Sequence, residues 1–105
     1  MVIEFSARHF HAADSVREYA KKEVEKFKKY NERATHCQII LEHEHNEHTV
    51  EIKLSVPGNN FFAKAVSSKL TKSIDLAVEK TMHQLKKHKD ISQNHKSDGL
   101  NVDED

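Results

Sequence analysis

The chain opens with an alternation. In VIEFSA, residues 2–7, Ile3, Phe5 and Ala7 fall on one side of an extended backbone and Val2, Glu4 and Ser6 on the other, the pattern of a half-buried strand. The period then changes. In SVREYAKKEVEKFKKYN, residues 15–31, Val16, Tyr19, Ala20, Val24, Phe27 and Tyr30 line up at 100° per residue, which predicts an amphipathic helix of roughly four turns. Ser15, with Glu18 three residues later, predicts a capping box at its start. Residues 37–44 (CQIILEHE) and 49–56 (TVEIKLSV) read as two further strands. The four-residue link HNEH is too short for anything but an antiparallel hairpin and is predicted to put His45 to His48 at an exposed tip. Pro57 to Asn60 predict a second turn, and FFAKAV a fourth strand. From Ser68 to Lys89 the helical period returns, with Leu70, Ile74, Ala77, Val78, Thr81, Leu85 and His88 on one stripe.

The order strand, helix, strand, strand, strand, helix leaves two apolar helix stripes and one apolar sheet face to be buried. The predicted fold class is therefore α+β: a four-stranded, mostly antiparallel sheet with two helices packed on one face. The first helix joins the first two strands, which are parallel if they are neighbours.

Composition narrows this picture. A chain of 105 residues holds one modest core, expected over residues 1–91. Residues 92–105 (SQNHKSDGLNVDED) have neither periodicity nor aromatics and are expected to form a disordered acidic tail. No apolar run approaches a membrane span, and the N-terminus lacks the layout of a secretory signal, so a cytoplasmic location is expected. The single cysteine, Cys37, sits in an apolar run and is expected to be structural. With no heptad repeat and no second domain, the free protein is predicted to be a monomer.

The formal net charge is zero, but the residues are unevenly placed. Residues 92–105 carry one lysine and four acids, which leaves 16 basic and 13 acidic groups in the first 91 residues. The decapeptide KTMHQLKKHK, residues 80–89, has four lysines, two histidines and no acid. Lys80, His83 and Lys87 stand at i, i+3 and i+7 on the side of the second helix away from its core stripe, with Lys86 alongside and Lys89 beyond. Lys22, Lys26 and Lys29 form a similar stripe on the first helix, at i, i+4 and i+7. Side by side, these stripes would suit the phosphates of RNA, whose contacts give sequence-independent affinity through counterion release. The plainer account is that lysines merely solvate the helices, since Glu18, Glu23, Glu25 and Glu79 interleave with them. Most aromatics lie on core stripes, so phosphate contacts fit better than base reading; only the pair Phe61-Phe62 must turn one ring outward.

Catalysis finds no support. The adjacent His36 and Cys37 point to opposite faces of a strand, and no glycine-rich phosphate loop exists. HEHNEH, residues 43–48, is rich in metal-binding side chains, but a hairpin tip lacks the fixed surroundings a specific site needs, so a polar turn without metal or other cofactor is expected.

The element order, with VEIKLSVPGNNFFAKA, SIDLAVEK and QLKKHK, resembles the ribosome hibernation promoting factors, from residue 1 to about residue 90. The resemblance implies a fold similar to a double-stranded RNA-binding domain with an added strand. It also implies binding to the small ribosomal subunit and its ribosomal RNA near the decoding centre, blocking messenger and transfer RNA, with no small-molecule substrate and no membrane. Three departures stand out. Lys64, Lys69 and Lys72 occupy a stretch that is usually acidic in the family, His83 stands where an arginine is common, and the dimerising domain of long-form members is absent, as in a short-form protein. The histidine-rich hairpin supports one other reading, a stress-regulatory or metal-responsive interaction protein.

Overall fold

A computed structural model describes the backbone of residues 1–94 and the side chains through residue 88. Its elements are β1 (Val2–Arg8), α1 (Asp14–Tyr30), β2 (His36–Glu44), β3 (Glu47–Val56), β4 (Asn59–Ser67) and α2 (Leu70–Asn94). The sheet runs in the order β1-β2-β3-β4. β1 pairs with β2 in parallel, from Val2 opposite His36 to Arg8 opposite Glu42, and the other two pairings are antiparallel.

Alternation decides which face is covered. Cys37, Ile39 and Leu41 of β2, Val50, Ile52 and Leu54 of β3, and Phe61 and Ala65 of β4 are buried in one cluster with Ala20, Val24 and Phe27 of α1 and Ile74, Ala77, Val78 and Leu85 of α2. Both helices therefore lie on the same face, as their stripes predict. Ile3, Phe5 and Ala7 pack against the cluster from β1. Truncating a side chain as buried as Leu85 to alanine would cost about 2–5 kcal/mol. The two hydroxyls buried among the described residues are both bonded: Thr81 Oγ1 donates to the Ala77 carbonyl at 2.9 Å, and Ser73 Oγ donates to the His48 carbonyl at 2.7 Å, fixing the start of α2 to β3.

Three local expectations are corrected. No side chain caps α1; Ala13 is the flanking residue, and its carbonyl accepts from Val16 and Arg17. Ser15 thus lies inside the first turn, because the helix begins two residues earlier than a Ser15 cap implies, with Asp14 in the first turn at the positive helix end. The first hairpin is tighter than HNEH implies. His45 and Asn46 both take left-handed conformations (φ 52° and 63°), the requirement of a two-residue type I′ turn, so Glu47 and His48 belong to β3. The second turn is also shorter, with Gly58 at φ 82° supplying the positive angle that only glycine adopts freely, and Asn59 and Asn60 pair with Val56 and Ser55. At the other end α2 runs through Asn94, into the stretch expected to be tail; residues 95–105 lie outside the described residues.

Candidate nucleic-acid interface

α1 and α2 turn their outer faces to solvent side by side. Tyr19 ties them together: its hydroxyl donates a hydrogen bond to Asp75 of α2. That bond, then partial burial and the negative charges of Asp75 and Glu23, push the Tyr19 phenol up to about 12. Beside this link runs an open cleft of about 480 Å³, lined by Glu23, Lys26, Glu79, Met82, His83 and Lys86 among others. Lys26 Nζ lies 2.9 Å from Glu23 Oε1 on its own helix. An exposed pair of this kind holds a lysine loosely and leaves it free to exchange partners.

The structure divides the basic residues that the sequence groups together. Lys26, His83 and Lys86 converge on the cleft between the helices. Lys22 and Lys29 of α1 and Lys87 of α2 are exposed. Lys80 turns to the opposite flank of α2, where its Nζ donates to the Lys64 carbonyl at 2.8 Å, and one turn on Gln84 Nε2 donates to the Phe62 carbonyl at 2.8 Å. The predicted single stripe of Lys80, His83 and Lys87 is thus split. The reason is geometric: β4 ends the sheet, and residues 80 and 84 are those of α2 that overhang its free edge. Lys89 has its side chain outside the described residues. Sequence reasoning missed Tyr19, Gln84 and the acidic partners Glu23 and Asp75. Tyr19 carried a faint signal, as a stripe residue whose hydroxyl needs a polar partner.

The histidine cluster is dispersed. His43 and His48 face each other across the β2–β3 hairpin and stack at 4.0 Å between ring centroids, with Phe10 edge-on to both at 5.8 and 6.2 Å. These three rings close one end of the core, and only His45 stands at the tip. Burial, and secondly the neighbouring His43, lower the pKa of His48, whose buried Nδ1 has no protein hydrogen-bond partner. The ligand atoms that do approach one another are those of His9, Glu42 and Glu44, all within 4.8 Å. Glu42 and Glu44 share one face of β2, and His9 Nε2 lies 3.5 Å from Glu42 Oε2. A divalent cation would find three ligands there, exposed to water. Cys37 is buried, its thiol pushed up to about 12 by burial, and His36 on the other face meets Glu4 at 3.4 Å instead.

With this geometry in place, the chain can be set beside known proteins. The family described as Sigma 54 modulation protein / S30EA ribosomal protein matches residues 3–93. The chain belongs to this family. Among curated relatives, the ribosome hibernation promoting factor of Pseudomonas putida is 28% identical over 93 residues, 89% of this chain and 91% of that one. The factor of the same name from Escherichia coli is 26% identical over 95 residues, 90% of this chain and 100% of that one. Two solved structures share the fold. A ribosomal subunit interface protein from Coxiella burnetii superposes with a TM-score of 0.80 at 24% identity, covering 85% of this chain and 98% of its own. The N-terminal domain of Protein Y from Thermus thermophilus gives 0.77 at 22% identity, with 84% and 99% covered. The family extends through both helices and the whole sheet, so the helix pair is part of what these proteins share.

Proposed function

We propose that this family member is a ribosome hibernation factor: a non-catalytic, cytoplasmic protein that binds the small ribosomal subunit near its decoding centre and inhibits translation by keeping messenger and transfer RNA out. The observation that carries this reading is the pair of helices held side by side by the Tyr19–Asp75 bond, with Lys22, Lys26, Lys29, His83, Lys86 and Lys87 on their solvent side, in a chain whose relatives carry the name ribosome hibernation promoting factor. Phosphate contacts position such a protein without reading sequence, so specificity comes from the shape of the folded RNA. Lys80, on the opposite flank of α2, would meet phosphate from the side of β4, because an ammonium has three donors and the Lys64 carbonyl uses one. Lys89 extends the same basic run in sequence.

The test is charge reversal. Lys86→Glu with Lys87→Glu removes two attractions and adds two repulsions at exposed positions, leaving the buried Leu85 in place. The double variant is expected to fold normally, to lose co-sedimentation with small subunits by at least about tenfold in affinity, and to stop inhibiting cell-free translation. Its full retention of both activities would refute the assignment.

A further inference from the structure

Among the described residues no helix covers the opposite face of the sheet, and one place on it is built differently from the rest. Along β4 the chain alternates, Phe61, Ala63 and Ala65 inward and Phe62, Lys64 and Val66 outward. Phe62 is 50% exposed, the most exposed aromatic among the described residues. Its directly opposite neighbour on β3 is Lys53, and the outward residues flanking it on its own strand are Asn60 and Lys64. Phe62, Lys53 and Asn60, with His36, Gln38 and Ser55, border a shallow groove of about 300 Å³ whose lining has no carboxylate, and Lys64 stands outside it, next along the same face of β4. The nearest acids are engaged or set aside: Glu4 meets His36 at 3.4 Å, and Glu51 stands opposite Lys64 in the next pair along.

We propose that this groove is a stacking site for an unpaired nucleobase of RNA, with Phe62 as the platform, Lys53 and Lys64 for the adjoining phosphates, and the amides of Gln38 and Asn60 for the base edge. Each part has a physical reason. A base offers a π-face whatever its identity, so an exposed ring on a rigid strand binds it with little sequence preference. An amide presents both a donor and an acceptor and can meet any base edge. Rigidity is supplied from behind: the Phe62 carbonyl is held by Gln84 and the Lys64 carbonyl by Lys80, both from α2. The helix that carries Lys86 and Lys87 thereby also fixes the platform, and one RNA surface could engage the helix side while a single-stranded segment passes over the sheet. A lone exposed phenylalanine is ordinary on a protein surface. Here it lies among cationic and amide side chains, which favours a partner with flat faces and negative charge over an apolar protein partner.

This site rests on the ribosome reading for its biological partner but not for its chemistry, so the two fail separately. Fluorescence anisotropy with a labelled single-stranded oligoribonucleotide of eight nucleotides is expected to show binding by the full chain, weakened about tenfold by Phe62→Ala and retained by Phe62→Tyr. An abasic oligomer of equal length, which keeps the phosphates but offers nothing to stack, is expected to bind wild type and Phe62→Ala alike. Since the ring is half-exposed, thermal melting of Phe62→Ala checks that its fold is kept. Equal binding of the oligoribonucleotide by wild type and Phe62→Ala, or binding by neither, overturns the stacking site whatever the ribosome assays give. Loss of ribosome binding in the Lys86→Glu, Lys87→Glu variant together with an intact effect of Phe62→Ala on the oligonucleotide upholds both. If Phe62→Ala instead abolishes a self-association of the wild-type chain, the face belongs to a second copy and the proposal fails.

Discussion

His48 shows how one residue's role depends on a neighbour that is distant in sequence. At a hairpin tip it would be a solvated imidazole; two positions into β3 it faces inward, stacked on His43 from β2, under the edge of Phe10, with Ser73 of α2 bonded to its carbonyl. Burial and His43 both disfavour its charged form, so its pKa is lowered in the folded chain. The unfolded chain then binds the proton more readily. The stability that follows is fully present above the unfolded value, about 6.5, and is lost as pH falls through and below it towards the folded pKa. Melting temperature is therefore expected to fall between pH 7 and pH 5, and His48→Phe, which keeps an aromatic ring in the layer, is expected to flatten that fall. Melts followed by circular dichroism at three pH values decide it. An unchanged slope in the variant would place the pH sensitivity elsewhere. Cys37 makes the complementary point, because the same burial that raises its thiol to about 12 leaves almost no thiolate near neutrality and suits a structural residue.

At the level of elements, periodicity was a sound guide and boundaries were not. The stripe Ala20, Val24, Phe27 and the stripe Ile74, Ala77, Val78, Thr81, Leu85 are buried as the 3.6-residue period predicts, and Ile52, Leu54 and Val56 as the two-residue period predicts. These signals are strong because each is repeated over several turns or pairs and burial enforces them all together. The expected capping box is not formed because the helix begins at Asp14, which carries Ser15 past the flanking position, and the turns are shorter than expected because φ at single residues sets their length. The site was only half legible: helix faces follow from spacing, whereas the division of Lys80 from Lys86 depends on where β4 ends the sheet. That division has its own consequence. Lys80 and Gln84 occupy two outward carbonyls of an edge strand that would otherwise be open to pairing with another chain. Lys80→Ala with Gln84→Ala is expected to raise self-association with rising concentration above that of the unaltered chain. Light scattering across a concentration series checks this, and a double variant that associates no more than the unaltered chain would show that the exposed Lys64 of β4 suffices without the two side chains.

For the molecule as a whole, the formal charge is zero, so any attraction to a polyanion must come from where the charges sit and not from how many there are. This separates two explanations that a single charge-reversal variant confounds. Changing two lysines to glutamate alters the net charge by four wherever it is done. At Lys86 and Lys87 it also inverts the outer face of α2. At Lys69 and Lys72 it alters exposed side chains near the start of α2, where the resemblance to hibernation factors implies that acids are usual and where Ser67 and Ser73 bond residue 69 through its backbone. If placement governs, Lys69→Glu with Lys72→Glu is expected to bind small subunits within about twofold of wild type at 0.15 M salt, where charges more than about 8 Å away are largely screened. The variant at 86 and 87 is expected both to bind weakly and to show a flatter dependence of log affinity on log salt, by about one unit for each phosphate left without its lysine on the duplex-DNA scale. Co-sedimentation of both variants at four salt concentrations gives the two slopes. Equal losses of affinity from the two variants, with equal slopes, would mean that ribosome binding responds to overall charge alone, and the helix face would then be a solvated surface with no special part in the interface.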